Sequence, residues 1–536
     1  MPVAFRRLFY PLLYATFLFV FALLFAPLGF NPTDDGVVLA QTARFWSGQI
    51  PFIDFVSIRP FGSVLLHWPA LFFGDFRLLA SRYLCVFEIG FYSYALLSFT
   101  VKKMRIELSD LVFWSLAGIS FALNVHSFPL MAWTSIDAVF LVSAGLYLRS
   151  KLDSGSWWNI AAYALLSLAA LCRQTFLPVG ILSIWFFQDL RNWKAYLGIV
   201  IPYVLFLSYL WWNNSIAVGL QQMTISGTAI VPVLKVLFHY KGAYLGLLVG
   251  ASFVIAWQWQ KHRQNEWMSR GVSVLCFGLA IGTMLLLLRS NSYRYLPTAL
   301  WIALIPMIGS EMRFHRASRH YAIGVLVLFI TGMTAVSIGY PSPALIMAWP
   351  WLVVLLWALK RFTPLISLNA MSWISLVIIL VLAGFVRLNH IYREPHSEQL
   401  QYKTKHPGLQ GIWMDKHTAE ELNELYLWKT HLKGQHLVLF DFAACRIYEK
   451  ETLPTEGDWL TKEEFPSKRL QDSLCKHLLT GNNRYWIVQK YCSAEISDTL
   501  MPIQTRKDSM QQSILHLLTK QSIIYNEGKY FIIYRQ

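Results

Sequence analysis

Stretches of apolar residues long enough to cross a bilayer recur along most of this chain. Each such stretch commits about 20 residues to a helix, because lipid offers no partner to an open peptide group. Thirteen are read between residues 8 and 388: 8–29, 77–101, 109–125, 134–149, 157–172, 174–189, 195–212, 242–258, 271–288, 297–310, 321–338, 344–359 and 370–388. The division between the fifth and sixth falls at Arg173–Gln174. The expected fold class is an α-helical polytopic membrane protein. Composition agrees, with 55% hydrophobic and only 14% charged residues, against about 25% charged in a soluble domain. The 22 Trp and 25 Tyr suit a chain that meets membrane interfaces.

The net charge of +16 would suggest nucleic acid in a soluble protein, but its placement points elsewhere. Residues 1–388 hold 27 Lys/Arg against 12 Asp/Glu, whereas 389–536 hold 19 against 18. Basic clusters stand at Arg6/Arg7, Lys102/Lys103/Arg105, Arg149/Lys151, Arg191/Lys194, Lys261/Arg263/Arg270, Arg313/Arg316/Arg319 and Lys360/Arg361, at every second loop. The positive-inside rule makes these seven sites cytoplasmic. The N-terminus is then cytoplasmic, and an odd number of spans delivers everything after about 388 to the outer side. Span one has no small-residue cleavage site, so no cleavable signal is expected. No nucleic-acid partner is expected either, while membrane lipids are.

Beyond 388 the hydrophobic period changes and the charges balance, which marks a separate extracytoplasmic domain of 148 residues. The stretch 418–432 reads as an amphipathic helix, and HLVLF (436–440), RYWIV (484–488) and KYFIIY (529–534) read as buried strands. A small α/β domain is expected. Three cysteines fall in it, Cys445, Cys475 and Cys492, enough for one disulfide with one thiol left over, the pairing being open.

With this topology the outer face of the membrane domain has five acids: Asp34, Asp35, Asp54 and Asp75 in the first outer loop, and Asp137 just after the second. The first loop (30–76) is too long for a connector, and its apolar pieces 36–47 and 60–73 read as helices lying along the interface. Asp34 and Asp35 in TDDG would also serve as helix N-caps, and Asp137 as a helix-start acid. His126, in NVHSFP, reads as a hydrogen-bonded loop residue or as a direct participant. The outer bases are Arg44, Arg59, Arg173, Lys235, Lys241, Arg289 and Arg294, with Arg77 and Arg82 at the start of span two. About half are explained by snorkelling to lipid headgroups. Glu88, inside span two, is expensive there, and Arg82 is its expected partner. No Walker loop, His-Glu-x-x-His, Cys-x-x-Cys or Gly-x-Ser-x-Gly motif occurs.

The loop contains Asp34-Asp35, Gly48, Pro51-Phe52-Ile53-Asp54, Arg59-Pro60-Phe61-Gly62, Phe72-Phe73-Gly74 and Arg82. In this order and spacing it resembles the first outer loop of GT-C superfamily glycosyltransferases, in particular bacterial family 39 members related to protein O-mannosyltransferases and aminoarabinose transferases. Further echoes are TSIDAVFLVSAGLYLR (134–149), LCRQTFLP (171–178), RSNSYRYLP (289–297) and HLVLFDFAACRIYEKETLP (436–454). The chain departs from the family in Arg59 for a Lys and Phe61 for a second Pro, changes expected to alter the acceptor groove.

The resemblance implies an inverting glycosyltransferase of the bacterial inner membrane, its C-terminal domain periplasmic or extracellular. Sugar would pass from a polyprenyl-phosphate donor to an acceptor hydroxyl on a lipid, glycan or protein at the outer face. It places the catalytic base at Asp34, and donor phosphate or sugar contacts at Arg59, Arg294 and Tyr295, with Arg289 and Arg173 as further bases for the phosphate. Asp35, Asp137 and His126 would orient sugar or acceptor. A monophosphate neutralised by arginine requires no metal; a divalent ion is compatible with the chemistry, but no motif points to one. Rival readings are a transporter or flippase of lipid-linked sugars and a catalytically silent relative. Spans seven to thirteen hold almost no midplane charge and no duplicated halves are visible, which favours the enzyme over a transporter.

Overall fold

The computed structural model describes residues 3–31, 34–126, 130–225, 295–314, 320–335, 343–362, 396–432, 436–439, 485–493, 500–502 and 509–535, with a few more between 246 and 255 and between 384 and 389. The described part is mostly helical with a small C-terminal sheet, an arrangement compatible with a membrane protein. Helices stand at ten of the thirteen expected positions. The stretch 271–288 lies outside the described residues, as do most of 242–258 and 370–388. Among the described residues three helical stretches are both long and apolar enough to cross a membrane: Leu8–Phe25, Gly62–Met104 and Trp193–Trp212.

The opening helix α1 (Val3–Phe25) leads through the first loop to α2 (Val37–Trp46), α3 (Gly62–His67), a 3-10 segment (Trp68–Phe76) and the long α4 (Arg77–Met104). Then follow α5 (Asp110–Val125), α6 (Thr134–Lys151), α7 (Trp158–Cys172), α8 (Val179–Phe187), α9 (Trp193–Trp212) and α10 (Ile216–Ile225). Local chemistry sets the boundaries. Ser109 caps α5 by accepting from the Val112 N–H, and α4 stops where Arg105 turns left-handed. The break expected at Arg173–Gln174 is present: α7 ends at Cys172, Arg173 is extended, and a 3-10 turn at Gln174–Phe176 precedes α8.

Polar side chains join the helices where a lone polar group in an apolar core would be costly. Asn124 donates to Ser93 Oγ at 2.9 Å and accepts from the Ala348 N–H at 3.0 Å, tying α5 to α4 and to the helix Ala348–Phe362. Trp349 Nε1 donates to Thr100 at 3.0 Å. Arg149 grips both Asp189 oxygens, at 2.6 and 2.7 Å, while the Tyr163 hydroxyl donates to the same carboxylate. This bidentate pair joins the C-terminal end of α6 to the turn after α8. Leu12, Phe19, Leu205 and Trp212 instead point outward from α1 and α9, as lipid-facing side chains do.

Both apolar pieces of the first loop are helical, as their patterning predicted. α2 buries Val37, Val38, Leu39 and Ala40. Beside it lies an exposed aromatic band, with Trp46 packed on Trp68, Trp68 on Phe72, and Phe72 and Phe73 at 76% and 60% exposure. Aromatics so displayed suit the headgroup region. Phe61 sits at the hub of a second aromatic group, 5.0 Å from Tyr209, 5.1 Å from Phe206 and 5.6 Å from Phe45, ring centre to ring centre. A proline could not fill that place.

In the C-terminal region, helix Lys416–His431 is capped by Asp415, which accepts from the Thr418 N–H at 3.0 Å. Its sheet has the order β1 (His436–Leu439), β2 (Tyr485–Gln489), β6 (Phe531–Arg535), β5 (Ile523–Glu527), with β1 parallel to β2 and the rest antiparallel. A two-stranded ribbon pairs β3 (Tyr491–Ser493) with β4 (Leu500–Pro502). The helix and β1, β2 and β6 fall where the sequence placed them. Helix Ser509–Gln521 and β5 were not anticipated. Cys492 lies in β3, while Cys445 and Cys475 fall outside the described residues, and so does the question of their pairing.

This region packs on the first loop. Leu409, Ile412, Met414, Leu422 and Phe531 share one core with Phe30, Leu39, Ala70 and Leu78. Trp413 donates its N–H to the Pro27 carbonyl at 2.7 Å and accepts from the Gly29 N–H at 2.9 Å.

At Gly62 the loop lies against the backbone of α7: a Cβ there would stand 2.6 Å from the Leu171 carbonyl carbon and oxygen. Since backbone cannot give way as a side chain can, Gly62→Ala should lower stability by about 1–3 kcal/mol. Gly118→Ala in α5, where a Cβ meets nothing within 4 Å, should instead raise it by about 0.5–1 kcal/mol. Thermal unfolding of both variants in one detergent checks the contrast.

Candidate functional site

The first loop is held by one guanidinium. Arg82, in the second turn of α4, is 1% exposed. Its Nη1 donates to the carbonyls of Ala26 (2.7 Å) and Leu28 (3.2 Å), and its Nη2 to Gly29 (2.7 Å) and to the Asp35 carboxylate. The end of α1 and the start of the loop are thereby gathered onto α4. Asp35 is wholly buried, and burial pushes its carboxyl up from the ordinary range, against the opposing charge and hydrogen bond of Arg82. Glu88 was expected to pair with Arg82; it does not, because Arg82 reaches back to the loop rather than along its own helix.

Asp34 stands next to this staple and is itself largely buried. Its N–H meets the Asn31 side-chain oxygen at 3.4 Å, and the Asp35 N–H donates to the Asn31 carbonyl at 2.9 Å. The N-cap of α2 is Gly36, in a left-handed conformation, with no side-chain cap. The capping role open to Asp34 and Asp35 in the sequence is therefore not the one they fill. Of the other loop acids, Asp54 accepts from the Ile50 N–H at 2.6 Å, closing the Pro51–Asp54 turn, and the Asp75 backbone carbonyl accepts from the Gln410 N–H at 3.2 Å.

A basic corner forms where the loop passes α6 and α7. The Arg59 guanidinium lies 5.2 Å over the Trp133 ring. Arg173, buried at the end of α7, donates to Ser135 in the first turn of α6. Burial, and then the neighbouring charge of Arg59, push the Arg173 pKa down to about 9. Two guanidiniums that repel each other beside a helix N-terminus, itself a partial positive charge, make a place suited to an anion. Gln174 fixes the loop against this corner by donating to the Ile58 carbonyl at 2.7 Å.

Asp137, also in the first turn of α6, faces elsewhere. It is fully buried, with its Oδ1 3.0 Å from His67 Nε2. Glu88 completes the group, with one ligand-type atom from each of the three within 4.8 Å of the others. His67 was missed in the sequence, where a lone histidine in LLHWP carries no spacing signal. Glu88 was noticed only as an acid out of place.

His126 follows α5 and is buried, its Nδ1 donating to the Leu123 carbonyl at 2.5 Å. Because a carbonyl only accepts, the proton sits on Nδ1 and Nε2 is left as the acceptor. Tyr295 begins the helix Tyr295–Phe314; Arg289 and Arg294 lie outside the described residues. The structure thus brings together Arg59 with Arg173, and Asp35 with Arg82 beside Asp34. It sets Asp137 in a different group, with His67 and Glu88. Compared with known proteins, the chain matches no protein-family model and no curated sequence.

Two outcomes follow for stability. Arg82→Ala strands the buried Asp35 and three carbonyls and should cost about 3–5 kcal/mol. Asp35→Asn should cost less, and the double variant less than the sum of the two, in a thermal-unfolding cycle. Separately, burial holds the His126 pKa down to about 4, against 6.5 ordinarily. The unfolded chain then binds a proton before the folded one does, so stability falls as pH drops from 6.5 to 4, by on the order of 3 kcal/mol. His126→Gln should flatten the unfolding profile across that window; an unchanged slope would remove His126 as its source.

Proposed function

We propose that this chain is a membrane-embedded glycosyltransferase acting at the outer face of a bacterial inner membrane. More narrowly, it moves a sugar from a polyprenyl-phosphate donor to an acceptor hydroxyl, with inversion at the anomeric carbon. The observation that carries the proposal is the Arg59–Arg173 pair at the N-terminus of α6, on the same loop framework that fixes Asp34.

The chemistry needs little more. Asp34 takes the proton of the acceptor hydroxyl as its oxygen bonds to the anomeric carbon. The bond from that carbon to the phosphate oxygen breaks, and the phosphate leaves with the electron pair. The growing charge falls to Arg59 and Arg173, whose hydrogen bonds strengthen as it grows. Two guanidiniums neutralise a monophosphate, so the transfer itself calls for no metal. Asp35 acts by positioning, through Arg82. His126, neutral near pH 7, and Arg289, Arg294 and Tyr295 remain proposed contacts to sugar or phosphate. The domain from 389 onward, proposed to be extracytoplasmic, covers the loop as an acceptor platform. Thirteen spans, with the N-terminus in the cytoplasm, complete the proposed topology.

The buried acids Glu88 and Asp137 would also suit a transporter of lipid-linked sugars, since such groups in spans mark transport paths. One assay separates the two. Purified protein is incubated with polyprenyl-phosphate mannose, glucose, galactose, arabinose and aminoarabinose, and free polyprenyl phosphate is measured. Release from at least one donor is expected, and transport alone would release none. Asp34→Asn should lower turnover about 100- to 10,000-fold with donor binding largely kept, whereas Arg59→Ala and Arg173→Ala should weaken donor binding as well as rate. Asp34→Asn retaining more than about a tenth of the rate would remove Asp34 as the base, given that range.

A further inference from the structure

Three elements far apart in sequence deliver His67, Glu88 and Asp137 to one point. His67 ends α3 of the first loop, Glu88 lies three turns into α4, and Asp137 is in the first turn of α6. All three are almost completely shielded, at 0%, 1% and 0% exposure. One donor atom from each lies within 4.8 Å of the other two, and His67 Nε2 is 3.0 Å from Asp137 Oδ1. Three further atoms of the group, His67 Nδ1, Glu88 Oε2 and Asp137 Oδ2, are buried without a hydrogen-bond partner.

Carboxylates this close in an apolar core repel, and lone polar atoms there are normally satisfied. One proton relieves one carboxylate. A divalent cation relieves both at once and uses the lone pair of the imidazole. The separation of 3.0 Å between His67 and Asp137 also suits two neighbouring ligands on an ion with bonds of about 2.0–2.2 Å. One imidazole with two carboxylates is a donor set for a first-row transition ion rather than for calcium or magnesium, which favour oxygen alone.

We infer that His67, Glu88 and Asp137 hold a divalent ion of the zinc or manganese class, pinning the first loop to α4 and α6. The inference stands apart from sugar transfer, since it concerns a group other than Asp34, Arg59 and Arg173 and is measured without substrate.

The test is metal content. Full-length protein in detergent, reconstituted with Zn2+ or Mn2+ and freed of unbound ion, should hold one ion per chain by elemental analysis. Glu88→Gln and Asp137→Asn should each reduce this at least tenfold, while Asp75→Asn in the same loop keeps it. Should the triad variants not fold, Co2+ loaded into the unaltered protein supplies a second readout, a visible ligand-field band lost on chelation. Less than a tenth of an ion per chain after loading, or full retention in both folded triad variants, would overturn the inference and leave a proton-sharing cluster.

Discussion

The Arg82 guanidinium is the point on which the first loop depends. A buried charge needs a partner for nearly every donor, and Arg82 finds them in three successive parts of one strand of chain, the carbonyls of Ala26, Leu28 and Gly29, together with the carboxylate of Asp35. Neither partner would be stable there alone. A free Arg in that place would be an uncompensated cation, and a free Asp35 would take up a proton. Together they fix how the chain leaves α1, which in turn fixes Asp34 one residue from the ion pair. Lysine could not replace the planar fork that reaches both the carbonyls and the carboxylate.

From this anchor the loop is secured at successive places by different forces. The Phe61 aromatic group holds it to α9, Gly62 lets it lie directly on the backbone of α7, and Gln174 holds its carbonyl at Ile58. On its other side the core around Leu409, Ile412 and Met414 joins it to the C-terminal region. A loop fastened so often is rigid by construction, which is what the proposed base and phosphate site need if they are to be aligned before a substrate arrives.

The sequence made the helices legible because each long apolar run satisfies its own backbone as a single helix, and among the described residues ten of those positions carry helices. The strands around Leu437, Trp486 and Ile533 were legible from their β-branched and aromatic runs. β5 was not, because Ile523–Glu527 is exposed along its length and lacks the alternation that marks a half-buried strand. Within the site, the pairing of Arg82 with Asp35 across 47 residues could not be read from spacing, so the nearer Glu88 was chosen instead. His67 escaped for the same reason: its partners come from α4 and α6, and only the packing of those helices brings them together. Residue types were readable; long-range partnerships were not.

Everything proposed for Asp34 requires that the first loop and the C-terminal domain share the outer compartment. Single cysteines introduced at Lys520, exposed on the helix Ser509–Gln521, and at Glu107, exposed before α5, report this directly in intact cells. A membrane-impermeant thiol reagent should label the Lys520→Cys protein and spare the Glu107→Cys protein until the membrane is opened. Labelling at Glu107→Cys with protection at Lys520→Cys would place Asp34 on the cytoplasmic side and contradict the outward-facing site.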